Sequence, residues 1–186
     1  MAAPDAWTES ALINLNDGTT DMSIHAITET IDIDAGARPV ESIPTIAAGR
    51  IKKISPEEDT TITFEGYPIA IGDKDATSQD GLDLFFNAGS DSAAPFSTSA
   101  SRSRTTFSVN IMWTDSTATS ATSSVPSGNY ALRKSYANCD FVSCKPSYTD
   151  GILKATWSFK CTPFTKAGVS NITEESTDGT ISMATI

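Results

Sequence analysis

The chain has 186 residues, a net charge of −10 and a hydrophobic share of 39%, which suits one domain with a core of its own. Net acidity argues against affinity for nucleic-acid phosphates, because Lys and Arg drive that binding by displacing counterions. No basic-then-apolar leader opens the sequence and no run approaches 18 apolar residues, so neither a signal peptide nor a membrane-spanning helix is expected.

Residues 1–10 are polar and read as an N-terminal arm. The first strong signal is MSIHAITETIDIDAG, 22–36, whose apolar face switches near Ala26–Ile27. A strand that changes its buried face midway carries a bulge or passes between two sheets. Residues 36–49 hold two Pro and two Gly without helical period, and read as a loop. RIKKIS, 50–55, is a short strand, SPEED a turn, and TTITFEGYPIAI, 60–71, a strand with Ile62 and Phe64 on one side. SQDGLDLFFNA, 78–88, is the one helix, with Leu82, Phe85 and Phe86 as a narrow apolar stripe. Residues 105–113 place Phe107, Val109, Ile111 and Trp113 opposite Thr106, Ser108, Asn110 and Met112. Residues 114–128 are a long polar loop, and 129–145 one long strand or two, with Ala137, Cys139 and Phe141 on one face. Residues 152–162 alternate again, with Leu153, Ala155, Trp157, Phe159 and Cys161 together. Residues 165–186 read as a C-terminal arm with a last strand at 180–186. The elements add up to a single mainly β domain over 1–186: two packed antiparallel sheets, as a sandwich or partial barrel, flanked by one α-helix.

Few patterns carry chemistry. His25 is the single histidine and lies beside isoleucines, so a structural or surface role is expected. No G-x-S-x-G elbow exists for a serine nucleophile. Cys139 and Cys161 fall on apolar strand faces and read as small buried hydrophobes. With Cys144 the cysteine count is odd, and C-x4-C lacks a second ligand pair, so neither a disulfide framework nor a zinc site is indicated. The carboxylate pairs Asp32/Asp34, Asp73/Asp75 and Glu174/Glu175 read as solvated acidic loops, and none matches a calcium-loop pattern. Asn171-Ile172-Thr173 is a formal glycosylation sequon. No catalytic residue, metal or cofactor is expected.

Charge is uneven. Residues 1–100 hold 17 acids and 5 bases, whereas 101–186 hold 6 acids and 8 bases. Within the acidic part, Arg50, Lys52 and Lys53 stand just before Glu57, Glu58 and Asp59. The trio is too small for a nucleic-acid patch and has no interleaved aromatics. Two readings remain open: a solvated strand end paired locally with 57–59, or a contact with the opposite patch of a neighbouring subunit.

The segments IHAITETIDIDAGARPVESIPTIAAGRIKKISPEEDTTITFEGYPI (24–69), SQDGLDLFFNAG (78–89) and YALRKSYANCDFVSCKPSYTDGILKATWSFKCTPFT (130–165) resemble, in their order of elements, the major tail tube proteins of tailed viruses and phages. They are most similar to those of siphovirus-type and archaeal tailed viruses. The resemblance implies two packed β-sheets flanked by a helix, and six copies in a ring whose inner sheets merge into a continuous β-barrel lumen. It implies rings stacked through long loops and terminal arms, and a negative lumen through which viral DNA slides. Implied partners are the chain itself, the tape measure, the tail terminator and baseplate or tail-tip proteins. The implied location is the virion tail, assembled in the host cytoplasm. Candidate lumen acids are Glu29, Asp32, Asp34, Glu65 and Asp140, placed on or beside strands. The nearly uncharged loop 114–128 departs from a purely ionic stacking contact. The alternative is a viral or extracellular β-sandwich adhesin or decoration protein, which would be a compact monomer or trimer with an exposed aromatic patch. A carboxylate-based hydrolase ranks last.

Overall fold

The computed structural model describes residues 10–16, 21–25 (backbone alone), 30–46, 49–66, 106–115, 125–126 and 128–177. Ten strands lie among them: β1 Ser10–Asn16, β2 Asp21–His25, β3 Asp32–Asp34, β4 Val40–Pro44, β5 Arg50–Ile54, β6 Thr60–Gly66, β7 Thr106–Thr114, β8 Ala131–Thr149, β9 Ile152–Cys161 and β10 Ile172–Thr177. Eight form one sheet in the order β2-β1-β7-β8-β9-β6-β3, with β10 also on β8, while β4 and β5 pair only with each other. Every pairing is antiparallel.

The sheet has to curl. Its two edge strands, β2 and β3, are consecutive in the chain, and only residues 26–31 join them. A link that short spans at most roughly 25 Å, so the edges approach each other as in a partial barrel. The sequence placed a face switch at this link. The chain does change partners here, but between the two edges of one sheet rather than between two packed sheets. Of the two expected forms, the partial barrel is the one the chain builds, as a single curled sheet with a small two-stranded one in place of two packed sheets. The expected helix at 78–88 lies outside the described residues, as do the arm at 1–9 and the strand at 180–186.

The core lies on one face of the curled sheet. Ile62 and Phe64 of β6, Ala155, Trp157, Phe159 and Cys161 of β9, and Phe107, Val109 and Ile111 of β7 are fully or almost fully buried. Their period-2 spacing is what a strand with one buried face requires. Phe159 sits at the centre, with ring centroids 6.0 Å from Phe64, 5.8 Å from Phe107 and 5.7 Å from Phe141. Trp157 lies 5.5 Å from Phe64. Strands β1 and β7 are covered on both faces. Leu12 and Met112 form a second cluster with Val125 and Ala131, opposite Ile13, Leu15 and Ile111. A strand buried on both faces loses its alternation, and β1 accordingly left no signal in SALINLN.

Strand β8 spans 19 residues, roughly 60 Å at ~3.3 Å each. Its first half pairs with β7 and β10, and its second half with β9. The handover is marked by a bulge, where two β7 residues (Phe107, Val109) oppose Cys139 and Tyr136 and Asn138 takes a φ of 55°. Asn tolerates this left-handed geometry better than most residues. The extra residue flips the alternation. Tyr136, not Ala137, therefore shares the core face with Cys139. The β8–β9 hairpin closes on Asp150 and Gly151, both at positive φ (55° and 78°), as a two-residue hairpin turn of right-handed twist demands.

Two segments read as irregular are strands. In the supposed loop 36–49, Val40–Pro44 pairs with Arg50–Ile54, from Val40↔Ile54 to Pro44↔Arg50. In the supposed C-terminal arm, Ile172–Thr177 pairs with β8, and Arg133–Glu175 and Lys134–Glu174 close ion pairs across it at 2.6 Å each.

Candidate functional site

Two surfaces gather the residues singled out by the sequence. The first is an arm. Strands β3 and β6 pair through Asp34↔Thr61. Beyond them the amide of Glu58 donates to the Ala37 carbonyl at 3.0 Å, and that of Ser55 to Pro39 at 3.0 Å. The ladder then continues into β4–β5, and the tip closes where Thr45 donates to the Gly49 carbonyl through its amide (2.8 Å) and its hydroxyl (3.0 Å). Residues 32–63 thus make one long hairpin, rooted in the sheet and, among the described strands, paired only with itself beyond it. At the base a Cβ on Gly36 would run into the Glu58 carbonyl, so glycine lets the two legs meet. Pro39 and Pro44, which signal a loop by composition, are tolerated because a two-stranded ribbon has two outer edges.

Every residue of β4 and β5 is exposed. One face pairs Val40 with Ile54, Ser42 with Lys52 and Pro44 with Arg50. The other pairs Glu41 with Lys53 and Ile43 with Ile51. The four aliphatics stand 46–60% exposed. Residues 38–54 carry four cations and one acid, against the acidity of the chain as a whole. Lys53 reaches Glu41 at 3.7 Å, with both side chains about two-thirds exposed, a contact worth little in water. Arg50 donates to the Ser42 hydroxyl at 3.4 Å. Among the described residues no ion pair joins Arg50, Lys52 or Lys53 to Glu57, Glu58 or Asp59; Asp59 instead meets Lys160 on β9 at 3.2 Å. The local partner that Lys53 does reach is Glu41, across the ribbon. Sequence reasoning missed Val40, Ile43, Ile51 and Ile54, although β-branched residues flanking the prolines were a usable signal.

The second surface is the polar face of the curled sheet, opposite the core. Directly opposed residues share a face, and the registers bring Asp32, Asp34, Glu65 and Asp140 onto this one. Glu29 lies outside the described residues. The face is rich in Thr and Ser and is not purely acidic. Lys145, Lys154 and Lys160 stand on it as well. Glu65 takes Lys154 at 3.2 Å and a hydrogen bond from the Thr156 hydroxyl at 3.5 Å. Asp140 lies directly across from Lys160. The Glu65 backbone amide donates to the Thr30 hydroxyl at 3.1 Å, which fixes the approach to β3. Among the described residues no group of three or more His, Cys, Asp or Glu is placed to hold a metal ion.

The fold is shared with chains of contractile injection particles. A chain of the extracellular contractile injection system solved as the PVC sheath–tube complex in its extended state is similar over 90% of this chain and 89% of its own, at 10% identity and a TM-score of 0.50. A chain of the anti-feeding prophage baseplate, solved with six-fold symmetry, is similar over 94% and 97%, at 12% identity and a TM-score of 0.52. At these identities the likeness is one of fold. No known family matches the sequence, and no curated protein does.

Proposed function

We propose that this chain is a structural subunit that assembles with copies of itself into hexameric rings, stacked as the tube of a phage-like particle. The observation that carries the proposal is the β4–β5 arm. An isolated two-stranded hairpin is marginal in water, and each half-exposed Val or Ile forgoes part of the about 1.5–3 kcal/mol that full burial brings. An arm with exposed aliphatics on both faces is a surface made for a partner. Its excess of cations, in a chain of net charge −10, suits an acidic partner, and a second copy supplies one through Glu57, Glu58 and the rest of its surface. The fold likeness to chains of a sheath–tube complex and a baseplate supports the same reading. On it, the partners include terminator, tape-measure and baseplate proteins, and the particle delivers a viral genome or other cargo. The Thr- and Ser-rich polar face lines the channel as a wet wall, on which Asp32, Asp34, Glu65 and Asp140 offset Lys145, Lys154 and Lys160 and so deny phosphates a basic patch. The role is structural, without catalysis.

Charge reversal tests the contact. Lys52→Glu with Lys53→Glu is expected to abolish higher assemblies in sedimentation velocity while leaving the melting temperature of the subunit unchanged. Adding Glu57→Lys and Glu58→Lys is expected to restore them in part. Unchanged assembly of the first variant would reduce the lysines to a solvated strand end.

A further inference from the structure

The odd cysteine count left no pairing to prefer, but the fold selects one. Cys139 and Cys161 are directly opposite each other on β8 and β9. Residues so placed in an antiparallel ladder have Cα atoms ~4.5–5.5 Å apart, inside the ~4.4–6.8 Å range that disulfides span. Both side chains point into the core and both are fully buried. The two thiols lie close enough to act on each other's titration. Each also has a carbonyl in reach: Tyr136 O for Cys139 and Ala137 O for Cys161, at 3.3 Å each. Cys144 faces Trp157 instead, is half-buried, and has its thiol pushed up to about 11 by burial.

We propose that Cys139 and Cys161 form an oxidisable pair that closes, with hydrogen peroxide as oxidant, into an intramolecular disulfide stapling β8 to β9. The contact between the thiols raises Cys139 and lowers Cys161, while burial raises both. Cys161, the last residue of β9, is the first to react. Its thiol loses a proton, and the thiolate attacks one peroxide oxygen. The O–O bond breaks, hydroxide leaves and takes up the proton as water, and Cys161 becomes a sulfenic acid. The Cys139 sulfur then attacks the Cys161 sulfur. The S–S bond forms, the S–O bond breaks, and water leaves with the Cys139 proton. Two electrons pass from the sulfurs to the peroxide, and two thiols and one peroxide give a disulfide and two waters.

Access comes from position. Cys161 is the last residue of β9. Cys139 follows the bulge at Asn138, where β8 exchanges β10 for β9. Ladder ends open at low free-energy cost, and peroxide is small. The inference stands apart from the self-assembly reading, since it needs only the subunit fold.

The test uses the full chain, treated with hydrogen peroxide, then denatured and alkylated without reductant. Free thiols are expected to fall from three to one. Peptide mass spectrometry is expected to find Cys139 linked to Cys161, with Cys144 alkylated. The oxidised protein is expected to melt on the order of 5 °C higher, reversibly with a reductant. In Cys144→Ser the same link is expected to consume both remaining thiols. Three alkylated cysteines after treatment, a link through Cys144, or sulfinic acid at Cys161 without a link would each overturn the proposal.

Discussion

At the scale of single residues, Phe159 bears most on stability. It is fully buried and touches three other aromatic rings. Phe159→Ala is expected to cost about 3–5 kcal/mol, through lost burial and the cavity left behind, read as a lower urea midpoint at unchanged slope. A loss under about 1 kcal/mol would mean the ring is not packed as described. Tyr136 gives a pH signature. Burial, and then the charge of Glu174, push its phenol from 10.0 up to about 12. A group with a raised pKa contributes stability that is complete below its unfolded value and is lost as pH rises through the folded one. The protein is therefore expected to lose stability between pH 10 and 12, and Tyr136→Phe to flatten that loss. Tyr136 also shows where residue-level reading fails. Strict alternation from Cys139 and Phe141 selects Ala137, and only the bulge at Asn138 hands the core position to Tyr136. A bulge is set by the partner strand's register, which no local pattern in NYALRKSYANC reveals.

At the scale of elements, legibility followed burial. Strands β6 and β9 each bury one face behind alternating Thr, Ser or Lys, and their period is plain in TTITF and KATWSFKC; β7 keeps its period in TFSVN before Met112 buries its other face too. Strand β1, covered on both faces, and β10, exposed along most of its length, show no alternation. The arm hid for another reason, because Pro and Gly punctuate it as they would a loop. The candidate charges were found while the aliphatics that accompany them were not. The arm also gives the sharpest element-level expectation. Ile43→Asp with Ile51→Asp alters one face of a hairpin whose two strands are exposed throughout and pair, among the described strands, only with each other. Far-UV circular dichroism and the melting temperature should stay as in the parent, while light scattering should show assembly lost. A fall of the melting temperature by many degrees would show instead that the arm stabilises its own subunit.

At the scale of the whole molecule, one curled sheet has a packed face, a polar face opposite it and a cationic arm. Net charge of −10 makes copies repel at long range, so association has to come from short contacts that combine aliphatic burial with opposite charge. The arm reaches roughly 30 Å from Asp34 to Pro44 at ~3.3 Å per residue, far enough to lie across a neighbour. The polar face, with its acids offset by Lys145, Lys154 and Lys160, suits a wet channel wall more than a strongly negative one. The resemblance in order of elements led to this class of fold, and the structure moved the emphasis from lumen acids to the arm. The most direct test is negative-stain electron microscopy of the purified full chain at high concentration. The account predicts rings of six subunits or stacked tubes. A field of monodisperse monomers would contradict it.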